Sequence, residues 1–207
     1  MISTYSALPL GTYIDILAID KSLNEYDYKV KVVALLSGLS EDDILDQPLT
    51  KTMKMSEAAN FLLSPLPKAT GKKVASLYRF GGEEFTPCKD VTKWTTSQFI
   101  DFQTYAKKIN SDTLPELFSC VLIPKGHTYG NGYDVAEVVR TIRDSLPVTD
   151  AQEISAFFLR KFVRLSHNIL TSSLPALRKM RTKESKEMEE RVRAILPLLK
   201  NGAGLLT

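Results

Sequence analysis

Five candidate helix starts in this chain pair an oxygen-bearing side chain with an acid or an amide three residues later: Ser40 with Asp43, Thr95 with Gln98, Thr113 with Glu116, Asp134 with Glu137 and Thr149 with Gln152. That spacing marks helix starts. The first side chain accepts from an orphan N–H of the opening turn, and the group three residues on reaches back or sits at the positive end of the helix dipole. Pro115 falls in the first turn after Thr113, where the missing N–H costs nothing. A chain that opens so many helices this way is committed to a mainly α fold.

Apolar residues at helical spacing follow these starts. Phe99, Phe102, Tyr105 and Ala106 form one stripe, Ala136, Val139, Ile142 and Arg143 another, and Ile154, Phe157, Phe158, Phe162 and Leu165 a third. In the first half, Tyr13, Ile16, Leu17 and Asp20 predict a short helix. Tyr26 to Ser37 predicts a longer one ended by Gly38, and Leu49 to Leu63 one closed by the SPLP stretch at 64–67. The exception lies between residues 72 and 91, where β-formers flank Gly81-Gly82. That dipeptide supplies the positive φ angles of a tight hairpin. The predicted organisation is an N-terminal helical half (1–67), a β-hairpin linker (68–94), a C-terminal helical half (95–172), and a long basic helix with a leucine-rich docking tail (173–207).

The two halves resemble each other. LGTYIDILAI at 10–19 and TSQFIDFQTY at 96–105 share an aromatic-Ile-Asp triplet. An apolar helix follows in each (VVALLSGLS, then ELFSCVLIP), next a short helix, and each half closes with SEAANFLL or DAQEISAFFL. The order of elements fits an internal duplication or a coincidence among helices of similar composition. On this alignment the stretch IPKGHTYGNGYD, Ile123 to Asp134, is an expanded connection between helices, with Asp134 capping the next one.

Chemistry-bearing residues are sparse. Gly130-Asn131-Gly132 lacks the third glycine of a dinucleotide fingerprint. KATGKK at 68–73 resembles the end of a phosphate loop but has lysine where the metal-binding hydroxyl belongs. His127 and Asp134 have no further ligands at metal-site spacing, and His167 reads as a satisfied or surface side chain. Cys88 and Cys120, far apart, form neither a disulfide framework nor a zinc site, and Cys120 is expected reduced in a buried helix. No catalytic, cofactor-binding or metal-binding residue is therefore assigned, no cofactor is expected, and the chain reads as a non-enzyme. MISTYSALPLGTYIDI lacks a basic start and a long apolar core, and no run is long enough to cross a membrane. A cytoplasmic site of synthesis is expected.

What remains is surface. Tyr129 and Tyr133 are large amphipathic side chains in a loop, suited to a protein interface or to a plain connection. The net charge is only +3, but bases outnumber acids from Arg160 to Lys200. Arg178, Lys179, Arg181 and Lys183 belong to a solvated helix or contact DNA or an acidic surface. The tail LPLLKNGAGLLT, with Leu205 and Leu206, reads as a peptide that docks on a neighbour.

The phrases TTSQFIDFQTYAKK, VLIPKGHTYGNGYD, ISAFFLRKF and ALLSGLSEDDILDQPL resemble small structural proteins of tailed bacteriophages of Bacteroidota hosts, including the crAss-like group. The first half also resembles tail assembly chaperones, with Gln47-Pro48-Leu49 at the place of a Leu-Pro-Leu-like turn. The hairpin and the basic helix depart from a minimal chaperone. The resemblance implies a non-enzymatic virion structural protein of the tail or head-to-tail region, located in the virion and in the host cytoplasm during assembly. Its partners would be other phage structural proteins and further copies of itself in a ring or tube, with non-specific DNA contact and no membrane. The alternatives are a tail assembly chaperone absent from the mature particle, or a basic nucleic-acid-binding regulatory protein.

Overall fold

The computed structural model describes residues 1–71, 73–106, 113–158 and 160–161. The chain divides into two compact units, Met1–Ile154 and Ser155–Thr207. The first is built from helices α1 (Leu10–Leu17), α2 (Glu25–Ser37), α3 (Glu41–Leu45), α4 (Leu49–Ala58), α5 (Thr96–Ala106), α6 (Leu114–Ser119) and α7 (Val135–Ser145). A small sheet adds β1 (Tyr78–Phe80), β2 (Glu83–Pro87) and β3 (Leu122–Pro124). A further helix starts at Val148. In the second unit the described residues are helical, with the Phe157 and Phe158 rings edge-on at 5.2 Å and the Lys161 ammonium 5.6 Å from the Phe157 ring. The mainly α class with a small β-hairpin is as expected. The long C-terminal helix proposed for 173–207 lies outside the described residues.

Local chemistry accounts for most boundaries. Ser40 and Asp43 form a reciprocal capping box, and Asn24 caps α2 by accepting from the Asp27 N–H. Asp134 caps α7 through the Ala136 N–H. Gly38 ends α2 at φ +72, the left-handed geometry that relieves the last carbonyls without a Cβ penalty. Gly81 and Gly82, at φ +59 and +78, turn β1 into β2 with Tyr78 opposite Phe85. Helix α4 continues from Ala59 to Leu63 as a tighter 3-10 turn.

Several expectations need correction. ELFSCVLIP is not one buried helix. It is the end of α6 followed by β3, which pairs antiparallel with β2, so the hairpin becomes a three-stranded sheet. Cys120 accordingly sits at the C-cap of α6 and not inside a helix. The Gln98 side chain is buried and donates to the Cys120 carbonyl at 2.7 Å, so only Thr95 caps α5, by accepting from the Gln98 N–H. The last helix opens before Thr149, at Val148, where the chain leaves a bridge between Pro9 and Pro147.

That bridge joins the two halves. Leu10 N–H donates to Leu146 and Val148 N–H to Leu8, both at 2.8 Å. Leu8, Ile16, Val32, Leu36 and Val148 form one apolar cluster, with Phe61, Leu62 and Leu66 packed against it. Helix α1 crosses α7 so closely that a Cβ on Gly11 would lie 2.7 Å from the Arg143 carbonyl oxygen. The buried face of α7 is Val138 and Ile142, a shift from the stripe read in the sequence, and Arg143 turns toward α1 instead. Residues 1–154 therefore make one unit, and the boundaries drawn at 67 and 94 fall inside it.

Candidate functional site

The stretch from Ile123 to Asp134 begins as β3 and leaves the sheet at Lys125, whose N–H donates to the Glu84 carbonyl at 2.8 Å. The Lys125 ammonium also meets the Glu84 carboxylate at 2.5 Å, and Arg79 meets the same group at 2.7 Å. These cations hold the Glu84 carboxyl below its usual range. The loop then turns through Gly126, Gly130 and Gly132, all at positive φ. Gly132 is required by space as well: a Cβ there would stand 2.6 Å from His127 Nδ1.

Tyr129 and Tyr133, read as interface side chains or as part of a plain connection, are half-buried and engage their hydroxyls within the protein. Tyr129 donates to Asp101 Oδ2 on α5 at 2.9 Å, and its oxygen is 3.7 Å from the Cys120 thiol. The Tyr133 oxygen accepts from the Gly130 N–H at 3.3 Å, and its ring meets the exposed His127 edge-on at 5.8 Å. The loop is thus fastened to α5 by Tyr129 and closed on itself by Tyr133. Asp101 belongs to the second aromatic-Ile-Asp triplet, but no local spacing pairs it with Tyr129, 28 positions away.

The reactive groups near this loop are held in their neutral forms. Burial pushes the Cys120 thiol up to about 11. Burial also raises Tyr129, helped by the neighbouring Cys120 and Asp101, and raises Tyr133. Cys88, half-buried, is raised as well. The fully buried Cys120 thiol packs as a small apolar side chain. No group of three or more His, Cys, Asp or Glu side chains placed to hold a metal occurs among the described residues.

The lysine-rich stretch at 68–73 shows its hydrogen-bonding here. The Thr70 and Gly71 N–H groups donate to the Glu153 carboxylate at 2.8 and 2.9 Å. The backbone donors that drew attention as phosphate-loop-like thus hold an internal carboxylate. A shallow polar depression of about 310 Å³ lies elsewhere, between the hairpin turn and α7, lined by Gly81, Glu137, Arg140, Thr141, Asp144 and Ser145.

A different surface stands out on α3 and α4. Helix α4 buries none of its residues fully. Met55 leans on the cluster of Val30, Val33, Ala34 and Ile44. Leu49 and Met53, one turn apart and on the opposite side of the helix from Met55, are 68% and 55% exposed. Leu45, the last residue of α3, is 52% exposed, and Leu63 beyond α4 is 85% exposed. Exposed carboxylates, Glu41 and Asp42 of α3 and Asp46 just after it, stand beside this apolar run in the chain. Nothing in the sequence pattern separated this stripe from a core-facing one, because apolar spacing alone does not say which face is covered.

Leu205, Leu206, Arg178, Lys179, Arg181, Lys183 and His167 lie outside the described residues. Comparison of the chain with models of protein families, with curated proteins and with solved structures returns no match.

Proposed function

We propose that the chain is a non-enzymatic structural protein of a tailed-bacteriophage particle, of the tail or head-to-tail region, working through protein contacts in a multi-copy assembly. The observation that carries this reading is the open apolar stripe of Leu45, Leu49 and Met53. Leu49 and Met53 share one face of α4 and Leu45 ends α3 four residues earlier; exposed large apolar side chains grouped in this way are the usual mark of a contact surface. Covering a leucine or methionine that is otherwise in water is worth about 1.5–3 kcal/mol. The resemblance of several sequence phrases to phage structural proteins supplies the context.

Mass spectrometry of purified particles from an infected culture tests the reading. The chain is expected in the particles in multiple copies. Presence in infected cells but absence from particles would assign the chaperone role instead, and absence from both would overturn the phage reading.

A further inference from the structure

We infer that the apolar stripe on α3 and α4 receives the C-terminal segment, residues 173–207, of a second copy of this chain. This rests on the reading above that the protein works in a multi-copy assembly, and it names the partner and the surface.

The argument starts from charge. Between residues 41 and 58 there are five acids and two lysines; Glu41 is paired with Lys31, which leaves Asp42, Asp43, Asp46 and Glu57 against Lys51 and Lys54 in the stretch of chain that carries Leu45, Leu49 and Met53. Residues 173–207 carry eight bases and four acids, together with leucines at 196, 198, 199, 205 and 206. The segment therefore offers apolar side chains that match the stripe and positive charge that answers the acids around it. A two-fold contact of the stripe with itself would bring acid against acid, which disfavours that arrangement. A basic, leucine-bearing segment suits the surface in both respects.

The contact is heterologous: the tail of one copy meets the face of the next. Such contacts propagate into a closed ring or an open filament according to the rotation between copies. A ring or tube is the form expected for a repeated component of a phage tail or connector. The charge part of the contact weakens in high salt, where the screening length falls from about 10 Å to about 3 Å.

Two variants of the full chain test it. One carries Leu49→Asp and Met53→Asp, which spoil the face at exposed positions. The other carries serine in place of Leu198, Leu199, Leu205 and Leu206, which spoils the tail. Circular dichroism checks that each keeps the helical content of the parent. Sedimentation then reads the mass across a concentration series. The parent is expected to form species of several chains, and each variant alone to run as a single chain of 23.1 kDa. An equimolar mixture is expected to form pairs of twice that mass and nothing larger, because one intact face meets one intact tail. A single-chain parent, a variant that assembles like the parent, or a mixture that stays single overturns the inference. None of these results depends on whether particles contain the protein, so the two proposals fail separately.

Discussion

Asp15 and Arg143 stand 128 positions apart in the chain and 2.6 Å apart in the fold, the guanidinium of α7 donating to the carboxylate of α1. Asp15 closes the first aromatic-Ile-Asp triplet, and Asp101, which closes the second, accepts from Tyr129. Both aspartates thus tie their helix to a later segment. The likeness ends at the middle residue, since Ile14 is buried and Ile100 is 54% exposed. One turn before Asp15, Gly11 lets α1 and α7 approach.

That approach makes Gly11→Ala destabilising. Alanine is favoured over glycine inside a helix by about 1 kcal/mol. Here its Cβ would meet Arg143 Cγ at 2.6 Å and the Arg143 carbonyl oxygen at 2.7 Å. Backbone does not move aside cheaply, and overpacking costs about 1–3 kcal/mol. Urea denaturation is expected to show a lower midpoint for the variant, and an unchanged or higher midpoint would refute the close crossing.

Gly38→Ala is a contrasting case. Nothing lies within 4 Å of the added methyl, and the penalty comes only from φ +72. The expected loss is about 1 kcal/mol, through strain at the end of α2. Gly38→Asn should recover part of it, because asparagine tolerates the left-handed region. Equal losses in the alanine and asparagine variants would argue against the conformational cause.

Tyr129→Phe removes the donor to Asp101. A hydrogen bond to a charged group contributes about 1.5–3 kcal/mol, and the half-exposed setting places this one at the low end. Amide exchange across residues 125–134 is expected to quicken, while exchange in α2 stays as it was. Unchanged exchange in the loop would show that Tyr129 does not fasten it.

Cys120 gives the pH dependence. Its folded value of about 11 lies above the ordinary thiol value of 9.0, so folding favours the protonated form. The stability it contributes is fully present below pH 9 and is lost as pH rises through about 11. Two units correspond to about 3 kcal/mol at most. The midpoint difference between the parent and Cys120→Ala should therefore shrink between pH 8 and pH 11. Alkylation at pH 8 should proceed at Cys120 only after denaturant is added. Rapid labelling of the native chain would contradict its burial.

Much of the fold was legible because helix ends are local. Ser40, Gly38 and Asp134 act within four residues of themselves, and their roles could be read from spacing. The Gly81-Gly82 turn is local in the same sense. The strand at Leu122–Pro124 was hidden, since a three-residue apolar run has no period to distinguish strand from helix. Its β character comes from pairing with β2, thirty-odd positions earlier in the chain. Gln98 misled for a related reason: its position suits a capping box, but the Cys120 carbonyl, 22 positions away, takes its side chain. The inward turn of Tyr129 depends on Asp101, and no local rule pairs those two.

The most direct test of the central claim, that the α3–α4 stripe is covered by protein in the assembled state, is the oxidation rate of Met53. Peroxide converts an exposed methionine to its sulfoxide and spares a covered one. Peptide mass spectrometry would compare the isolated chain, in dilute solution, with purified particles. Met53 is expected to oxidise readily in the first and several-fold more slowly in the second. Equal rates in both would contradict the account.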